Sequence, residues 1–283
     1  MCLIAFAIGA HADLPLLIAA NRDEFFERPT AALSRWRLSD DTAVIAGRDL
    51  RSGGTWLGMN ESGRVAMLTN VRSADLGPGR RSRGELPARW LQPDTDWLSL
   101  KAQTVPGDYG GFNLVVGDVR QGFWAWISNR DPAHPHLPVG ADRAHLHSQR
   151  LLPGVYGLSN AALDTPWPKT QALKEAVRSA LTAPTAEQRQ RILTTALADP
   201  GRSPTDQLPC TGVPIDIEAT LSSPFVDMRE RGYGTLSSLT LSVAHASDSS
   251  DWTADLLEWT HAPSVGEVHR WTAAAPVGHT LKL

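Results

Sequence analysis

The hydrophobic pattern of this chain changes its period twice, and the order of these changes limits the folds that are open to it. Apolar residues first come in short runs separated by turn-forming residues, as at 52–54 and 60–63, which is typical of consecutive β-strands. Within 169–181 they recur at helical spacing, which predicts an amphipathic helix. Residues 238–243 then alternate between polar and apolar, which predicts a half-buried strand.

Strands followed by helices and again by strands predict one α+β domain over residues 1–283, with large sheets and with helices packed outside them. The Pro- and Ser-rich stretch 200–214 is predicted to be a long loop. The predicted strands cover residues 3–8, 14–20, 43–47, 55–59, 65–70, 113–117, 123–128, 238–243, 256–261 and 267–272. The predicted helices cover residues 85–91, 97–103, 169–181 and 186–198.

The composition is that of an ordinary globular protein. Charged residues make up 20% and hydrophobic residues 42% of the chain, which excludes wholesale disorder. A net charge of −3 argues against a nucleic-acid partner. The two cysteines, Cys2 and Cys210, form no disulfide framework and fit a reducing compartment. No basic residue precedes the apolar run 3–8 and no run has membrane-spanning length, so we predict a cytoplasmic protein without stable membrane insertion.

Cys2 directly follows Met1, and its small side chain is compatible with removal of Met1. The mature chain would then carry a thiol and a free α-amine on the same carbon. An α-amine has a pKa of about 7.7–8.0, so roughly a tenth of it is neutral at pH 7 and can act as a base toward the thiol. Taken alone, position 2 favours the simpler interpretation, a small buried cysteine at the start of a strand.

Four consecutive polar residues, Asn-Arg-Asp-Glu, follow the second predicted strand of the N-terminal hairpin. The pairing of the hairpin predicts that Arg22 and Asp23 lie near Cys2. A guanidinium there would favour the thiolate, and a carboxylate could hold the α-ammonium. Asn70 and Asn160 each end a later strand, and their amide N–H groups suit an oxyanion. Each feature alone also fits an ordinary turn.

Several short motifs occur in one order along the chain. They are Cys2 and the residues 21–24, 53–58, 69–70, 83–86, 111–114, 156–160, 165–167 and 232–235. Together they resemble the NRDE family. The resemblance covers nearly the whole chain, and it implies the N-terminal nucleophile (Ntn) hydrolase fold, a four-layer αββα sandwich.

A more distant resemblance concerns mechanism. The segments 59–70 and 158–160 are similar to segments of the choloylglycine hydrolases and penicillin V acylases. In that family an N-terminal cysteine is the nucleophile of an amide hydrolase. The roles that this resemblance implies are nucleophile for Cys2, contact with its amine for Asp23 and oxyanion stabilisation for Asn70 and Asn160.

Two positions depart from the patterns of these families. The arginine of the acylases falls in register on Ala20, so that Arg22 is displaced from it. Leu236 stands where the NRDE family has an arginine. Besides the catalytic candidates Cys2, Arg22, Asp23, Asn70 and Asn160, the residues predicted to contact a ligand are Asn21, Glu24, Trp56 and Arg83.

These observations leave two functions open. The first is hydrolysis of an amide bond in a small or acyl substrate, which Cys2, Asp23 and the two asparagines favour. The second is binding and trafficking of haem, acyl-CoA or lipid, to which NRDE family members have been linked; Cys2 or a histidine could then ligate haem. Leu236 and the ten tryptophans favour this second function. No metal site is predicted, no cofactor is required, the expected partner is a small or hydrophobic anionic ligand, and an oligomer is allowed.

Overall fold

The computed structural model describes residues 2–73, 77, 79–137, 140, 143–245, 252–261 and 277–283. The strands are β1 (Cys2–Ile8), β2 (Leu16–Phe25), β3 (Thr30–Arg37), β4 (Ala43–Asp49), β5 (Leu57–Asn60), β6 (Arg64–Asn70), β7 (Phe112–Asp118), β8 (Phe123–Ser128), β9 (His147–Arg150), β10 (Gly154–Leu158), β11 (Asp227–Met228), β12 (Tyr233–His245), β13 (Trp252–Thr260) and β14 (Val277–Lys282). The helices are α1 (Glu85–Leu91), α2 (Trp97–Gln103), α3 (Pro168–Leu181), α4 (Ala186–Leu197) and α5 (Ile215–Leu221).

The chain divides into two compact units. Unit 1 comprises Met1–Arg28, Pro153–Leu158 and Asp164–Lys282, and unit 2 comprises Pro29–Leu152 with Ser159–Leu163. Each unit contains its own antiparallel sheet with helices on one face. The single domain predicted over residues 1–283 stays a prediction.

The sheet of unit 1 has the strand order β10-β1-β2-β12-β13-β14, and β11 pairs with β12. Side chains alternate between the two faces of a strand. In β1, Leu3, Ala5 and Ala7 lie on the face that packs against α3 and α4, together with Leu173 and Val177 of α3. Burial of this apolar face is worth about 25 cal/mol per Å² of covered area. We call it the helix side of the sheet.

The opposite face of the same sheet carries the alternate residues of β1. Cys2, Ile4, Phe6 and Ile8 are all buried. Phe6 stacks on Tyr156 of β10, with ring centroids 5.5 Å apart. Strand β1 is therefore covered on both faces, which explains its nearly continuous apolar sequence.

The sheet of unit 2 runs from β3 to β9 in the order of the sequence. Its helix side carries Leu68 of β6 and Leu114 of β7, which pack with Leu86 and Trp90 of α1. Because neighbouring strands are close in sequence, most of this sheet forms from local hairpins. The exceptions are the connection from β6 to β7, which contains α1 and α2, and the long connection from Ser128 at the end of β8 to His147 at the start of β9.

Local signals set the helix boundaries. The Asp96 carboxylate caps α2 by accepting a 2.7 Å hydrogen bond from the Ser99 amide, and the Thr185 hydroxyl caps α4 by accepting from the Gln188 amide at 3.2 Å. Pro168 occupies the first turn of α3, where its missing N–H costs nothing. The predicted bounds of α1 and α2 are confirmed.

Several strands and one helix differ from the sequence-based predictions. Strands β9, β11 and β14 were not predicted, and β13 begins at Trp252 instead of 256. Strand β2 continues through the polar box to Phe25, and β12 begins at Tyr233 instead of 238. Strand β3 and helix α5 were not predicted, because β3 is a half-exposed edge strand without clear alternation and α5 has only 7 residues. The predicted strand 267–272 lies outside the described residues. In the part of the chain that the structure describes, no helix is long and apolar enough to cross a bilayer.

Candidate active site

Cys2 is the first residue of β1, and its direct partner on β2 is Arg22. Arg22 pairs in turn with Ser237 of β12. Directly paired residues in a sheet point to the same face, with Cβ atoms about 4.5–5.5 Å apart. The thiol and the guanidinium therefore share the face of the sheet opposite the helix side. Both side chains are buried, with 8% of Cys2 and 6% of Arg22 exposed.

The surroundings of Cys2 act on the ionisation of its thiol in opposite directions. Burial is the main cause that raises the pKa of the Cys2 thiol, and the negative charges of Asp23 and Glu24 raise it further. The positive charges of the chain's α-ammonium group and, less strongly, of Arg22 lower the pKa of the same thiol. Since the net pKa lies above the ordinary value, the resting group at neutral pH is the thiol, and reaction requires a base beside it.

Glu24 forms an ion pair with Arg22. The Glu24 Oε2 atom lies 3.6 Å from Arg22 Nη2 and 3.8 Å from Arg28 Nε. By alternation Glu24 is on the same face of β2 as Arg22. The predicted ligand residue Glu24 is thus placed between two arginines, one beside Cys2 and one near the end of β2.

Asp23 points to the other face of β2, the helix side. Its partner across the sheet is Thr235 of β12, whose hydroxyl donates a 2.8 Å hydrogen bond to Asp23 Oδ1. The Val226 amide donates to the same Thr235 hydroxyl at 2.9 Å. The Asp23 carboxylate is therefore held in place by a strand that is more than two hundred residues away in the sequence.

A β-bulge separates the partners of Arg22 and Asp23. Ser237 pairs with Arg22 and Thr235 pairs with Asp23, so Leu236 is an extra residue on β12 between two adjacent residues of β2. Leu236 is half-buried. The Leu236 side chain thus belongs to the irregular stretch of β12 beside the charged residues of β2.

Asn21 uses its side-chain amide within unit 1. Its Nδ2 group donates to the carbonyl oxygens of Leu197 at 2.8 Å and Pro224 at 2.9 Å, and its Oδ1 accepts from the Ser238 hydroxyl at 2.6 Å. These bonds join β2 to the end of α4, to the segment after α5 and to β12. They describe a structural amide, and the contact of Asn21 with a ligand stays a prediction.

The two predicted oxyanion asparagines lie together in unit 2. Asn160 Nδ2 donates to the backbone oxygen of Asn70 at 3.0 Å and to Asn70 Oδ1 at 3.1 Å. The Ser159 hydroxyl donates to Asn160 Oδ1 at 3.3 Å. Among the described residues, Asn70 Nδ2 donates to no group. The orientation of the pair therefore leaves the amide N–H groups of Asn70, and not those of Asn160, for an external acceptor.

A buried network supports this pair. The Thr69 hydroxyl donates to the Ser159 carbonyl at 2.6 Å, and Asn113 Nδ2 donates to Thr69 Oγ1 at 3.2 Å and to the Ala161 carbonyl at 2.7 Å. Trp126 Nε1 donates to Asn113 Oδ1 at 3.2 Å, which fixes the orientation of that amide. Thr69 and Asn113 both lie in sequence motifs of the family, but their supporting role was not predicted.

The predicted ligand residues Trp56 and Arg83 belong to unit 2 as well. The Trp56 ring covers Gly47 so closely that a Cβ atom at position 47 would lie 2.3 Å from its Cη2 atom. The Arg83 guanidinium donates to the Gly111 carbonyl at 3.1 Å. Both side chains have these packing or hydrogen-bond roles within unit 2, and their contact with a ligand stays a prediction.

A groove of about 660 Å³ in unit 1 lies on the helix side of the sheet, between α4 and strands β12, β13 and β14. Leu17 and Thr240 line it, and both side chains point away from the face that carries Cys2. None of the predicted site residues lines this groove. Over the described ranges, no group of three or more His, Cys, Asp or Glu side chains is arranged to hold a metal ion.

The comparisons with known proteins agree with the family resemblance. The family described as Transport and Golgi organisation 2 matches residues 1–253. The chain is 34% identical to the Transport and Golgi organization 2 homolog of Mus musculus over 69% of this chain and 67% of that protein. It is 40% identical to the Transport and Golgi organization protein 2 homolog of Bos taurus over 54% of this chain, and the match spans about half of that relative, 53% of its length.

A solved structure shares the fold. The Caenorhabditis elegans N-acylethanolamine-hydrolyzing acid amidase ortholog superposes with a TM-score of 0.50 over 85% of this chain and 92% of that chain, at 9% identity. At such low identity the likeness concerns the fold alone. It confirms the predicted α+β class, in which each unit holds one antiparallel sheet with helices on one face. With a family match that covers most of its length, the chain belongs to the Transport and Golgi organisation 2 family.

Proposed function

We propose that this protein hydrolyses an amide bond in a small or acyl substrate, with the Cys2 thiol as the nucleophile. The observation that carries the proposal is the direct cross-strand pair of Cys2 with Arg22, on one face of the sheet. Asp23, the next residue on β2, is held on the other face by Thr235. A buried cysteine without a chemical role needs neither a buried cation opposite it nor a fixed carboxylate one residue further on.

The first step requires a base, because burial keeps the thiol protonated. Removal of Met1 would supply this base as the α-amine of Cys2, which takes the thiol proton. Arg22 then faces the thiolate and lowers the free energy of the charged form. Asp23 is the proposed partner of the resulting α-ammonium group.

In the next step the thiolate attacks the amide carbonyl carbon, a C–S bond forms and the carbonyl oxygen becomes an oxyanion. Asn70 is the proposed oxyanion donor, and Asn160 acts by orienting it, since Asn160 Nδ2 is already bonded to Asn70. Collapse breaks the C–N bond, and the leaving amine takes the proton from the α-ammonium group. Water, deprotonated by the α-amine, then cleaves the thioester and releases the acid and the Cys2 thiol.

The alternative function is binding of an anionic acyl ligand without turnover, and the observation that favours it is Leu236. At the bulge, Leu236 places a half-buried apolar side chain, and not a cation that could assist turnover, beside the charged end of β2. Haem fits less well. A thiolate ligand is disfavoured because burial raises the pKa of the Cys2 thiol, and the buried His261 of unit 1 already bonds Ser238 at 2.9 Å through Nε2.

Intact-mass analysis with an electrophilic lactam probe, together with a panel of N-acyl amides of increasing acyl length, tests the proposal. We expect a chain without Met1, one equivalent of probe attached and turnover of at least one amide. Cys2→Ala should lose both labelling and turnover, whereas Cys210→Ala, which changes the exposed cysteine, should retain them. A retained Met1, or labelling that survives Cys2→Ala, would contradict the mechanism. Saturable binding of acyl anions without turnover would select the alternative.

A further inference from the structure

A buried chain of hydrogen bonds runs from His261 to Asn21. His261 Nε2 lies 2.9 Å from the Ser238 hydroxyl oxygen, and that hydroxyl lies 2.6 Å from Asn21 Oδ1. All three side chains are buried. Because Ser238 pairs with Asn21 across the sheet, these hydrogen bonds lie on the helix side. They end on β2 at Asn21, one residue before Arg22.

The donor and acceptor of each hydrogen bond between His261, Ser238 and Asn21 follow from the two carbonyl groups that Asn21 contacts. The carbonyl oxygens of Leu197 and Pro224 can only accept, so the NH₂ group of Asn21 must face them and Asn21 Oδ1 must face Ser238. The single hydroxyl proton of Ser238 is therefore donated to Asn21. His261 Nε2, which lies against the same hydroxyl oxygen, must then carry a proton and donate it to Ser238.

The surroundings of His261 keep its ring neutral and fixed. Burial lowers the pKa of His261 to about 4, so at neutral pH the ring carries one proton, on Nε2. The ring stands edge-on to Phe225, with centroids 5.0 Å apart. The His261 backbone amide donates to the Leu236 carbonyl at 2.8 Å, at the bulge of β12. His261 thus holds the bulge of β12 through its backbone amide and, through Ser238, also contacts the side-chain amide of Asn21.

We propose that His261 is a positioning residue of the Cys2 site, which acts through Ser238 and Asn21 to hold β2 so that Arg22 stays opposite the Cys2 thiol. The proposal rests on the proposed role of Cys2, but its physical consequence does not require turnover. Without the donor at 261, the Ser238 hydroxyl can rotate away from Asn21 Oδ1. Asn21 then keeps only its bonds to the Leu197 and Pro224 carbonyls, and Arg22, the next residue on the strand, is held less firmly opposite the thiol. The thiolate is then less well stabilised.

The test is the pH dependence of Cys2 alkylation by iodoacetamide, measured by mass spectrometry on the full chain in a Cys210→Ser background. We expect His261→Leu, which cannot donate, to move the midpoint to higher pH. His261→Gln offers an amide N–H to Ser238 and should retain the parent midpoint. His245→Gln, in a more exposed histidine at the end of β12, is the matched control and should also leave it unchanged.

A folded His261→Leu variant with the parent midpoint would overturn the proposal, and so would equal shifts in the Leu and Gln variants, because the donor would then not matter. If His261→Leu does not fold, Ser238→Ala decides: it removes only the relaying hydroxyl, and an unchanged midpoint overturns the proposal. Failure of the hydrolase proposal shows separately, as absence of turnover in the parent chain while the alkylation profiles still differ among the variants.

Discussion

The two groups of predicted site residues have different physical character. In unit 1, Cys2 lies among charged side chains, and its ionisation depends on burial, Arg22, Asp23 and Glu24. In unit 2, Asn70 and Asn160 are neutral amides within a network of hydroxyl, amide and indole groups. The comparison teaches that pH-dependent chemistry belongs to unit 1, whereas unit 2 offers donors whose strength does not change with pH.

The largest effect that this comparison predicts is on the oxyanion donor. Asn70→Ala should lower kcat by about 10²- to 10³-fold, the usual cost of removing one such donor, without moving the pH profile. Asn160→Ala should have a smaller effect, because its amide orients Asn70 and does not itself remain available. Steady-state kinetics over a range of pH is the measurement. A pH profile displaced by Asn70→Ala would contradict the assignment of pH-dependent chemistry to unit 1 alone.

The second prediction concerns the support of Asp23. Thr235→Val is nearly isosteric but removes the hydroxyl that donates to Asp23 and accepts from the Val226 amide. We expect a loss of about 1–3 kcal/mol in the free energy of unfolding, because buried polar groups lose a partner. Urea denaturation measures it. Thr253→Val, at a half-buried position of β13, is the control and should stay within about 0.5 kcal/mol of the parent.

The third prediction compares Arg22 and Arg28, the two arginines that contact Glu24. Arg22→Gln removes the cation that faces Cys2, so the pKa of the Cys2 thiol should rise and its alkylation profile should move to higher pH. Arg28→Gln removes only the second partner of Glu24 and should shift the profile less. An identical profile for Arg22→Gln and the parent would show that the cross-strand pair does not tune the thiol.

The last prediction concerns a change of stability with pH in unit 1. His261 has a pKa of about 4 in the folded chain and about 6.5 when unfolded. Between these values the unfolded chain binds the proton and the folded chain does not, so stability falls as pH decreases from about 6.5 toward 4. Urea unfolding of the parent and of His261→Gln at a series of pH values should show a shallower decline in the variant. Equal slopes would contradict the assignment.

The sequence predicted well where the signals are local. Helices α1 to α4 were predicted within about one residue, because the signals for a helix lie within or directly beside each segment. Strand β12 was predicted to begin at 238 because the extra residue Leu236 interrupts the alternation, and the strand in fact begins at Tyr233. A bulge of this kind is set by pairing with β2 and leaves no local pattern.

The candidate site was predictable in its residues but less so in its arrangement. Local sequence gave no reason to expect that Asn21 and Asp23 are buried, since their partners Leu197, Pro224 and Thr235 are distant in the chain. The alternation in 238–243 predicted a strand with one polar face, but not that this face packs against helices. Ser238 was therefore not recognised as a partner of Asn21, and His261, outside every motif, was not recognised at all.

The central claim is that the Cys2 thiol becomes acylated. The most direct measurement is mass spectrometry of the N-terminal peptide after brief incubation of the full chain with a slowly hydrolysed acyl donor and rapid acid quenching. The account predicts that this peptide begins at Cys2 and carries the acyl group on sulfur as a thioester, cleavable by hydroxylamine, while the peptide that contains Cys210 is unmodified. An N-terminal peptide that retains Met1, or acyl groups found only at Cys210, would contradict it.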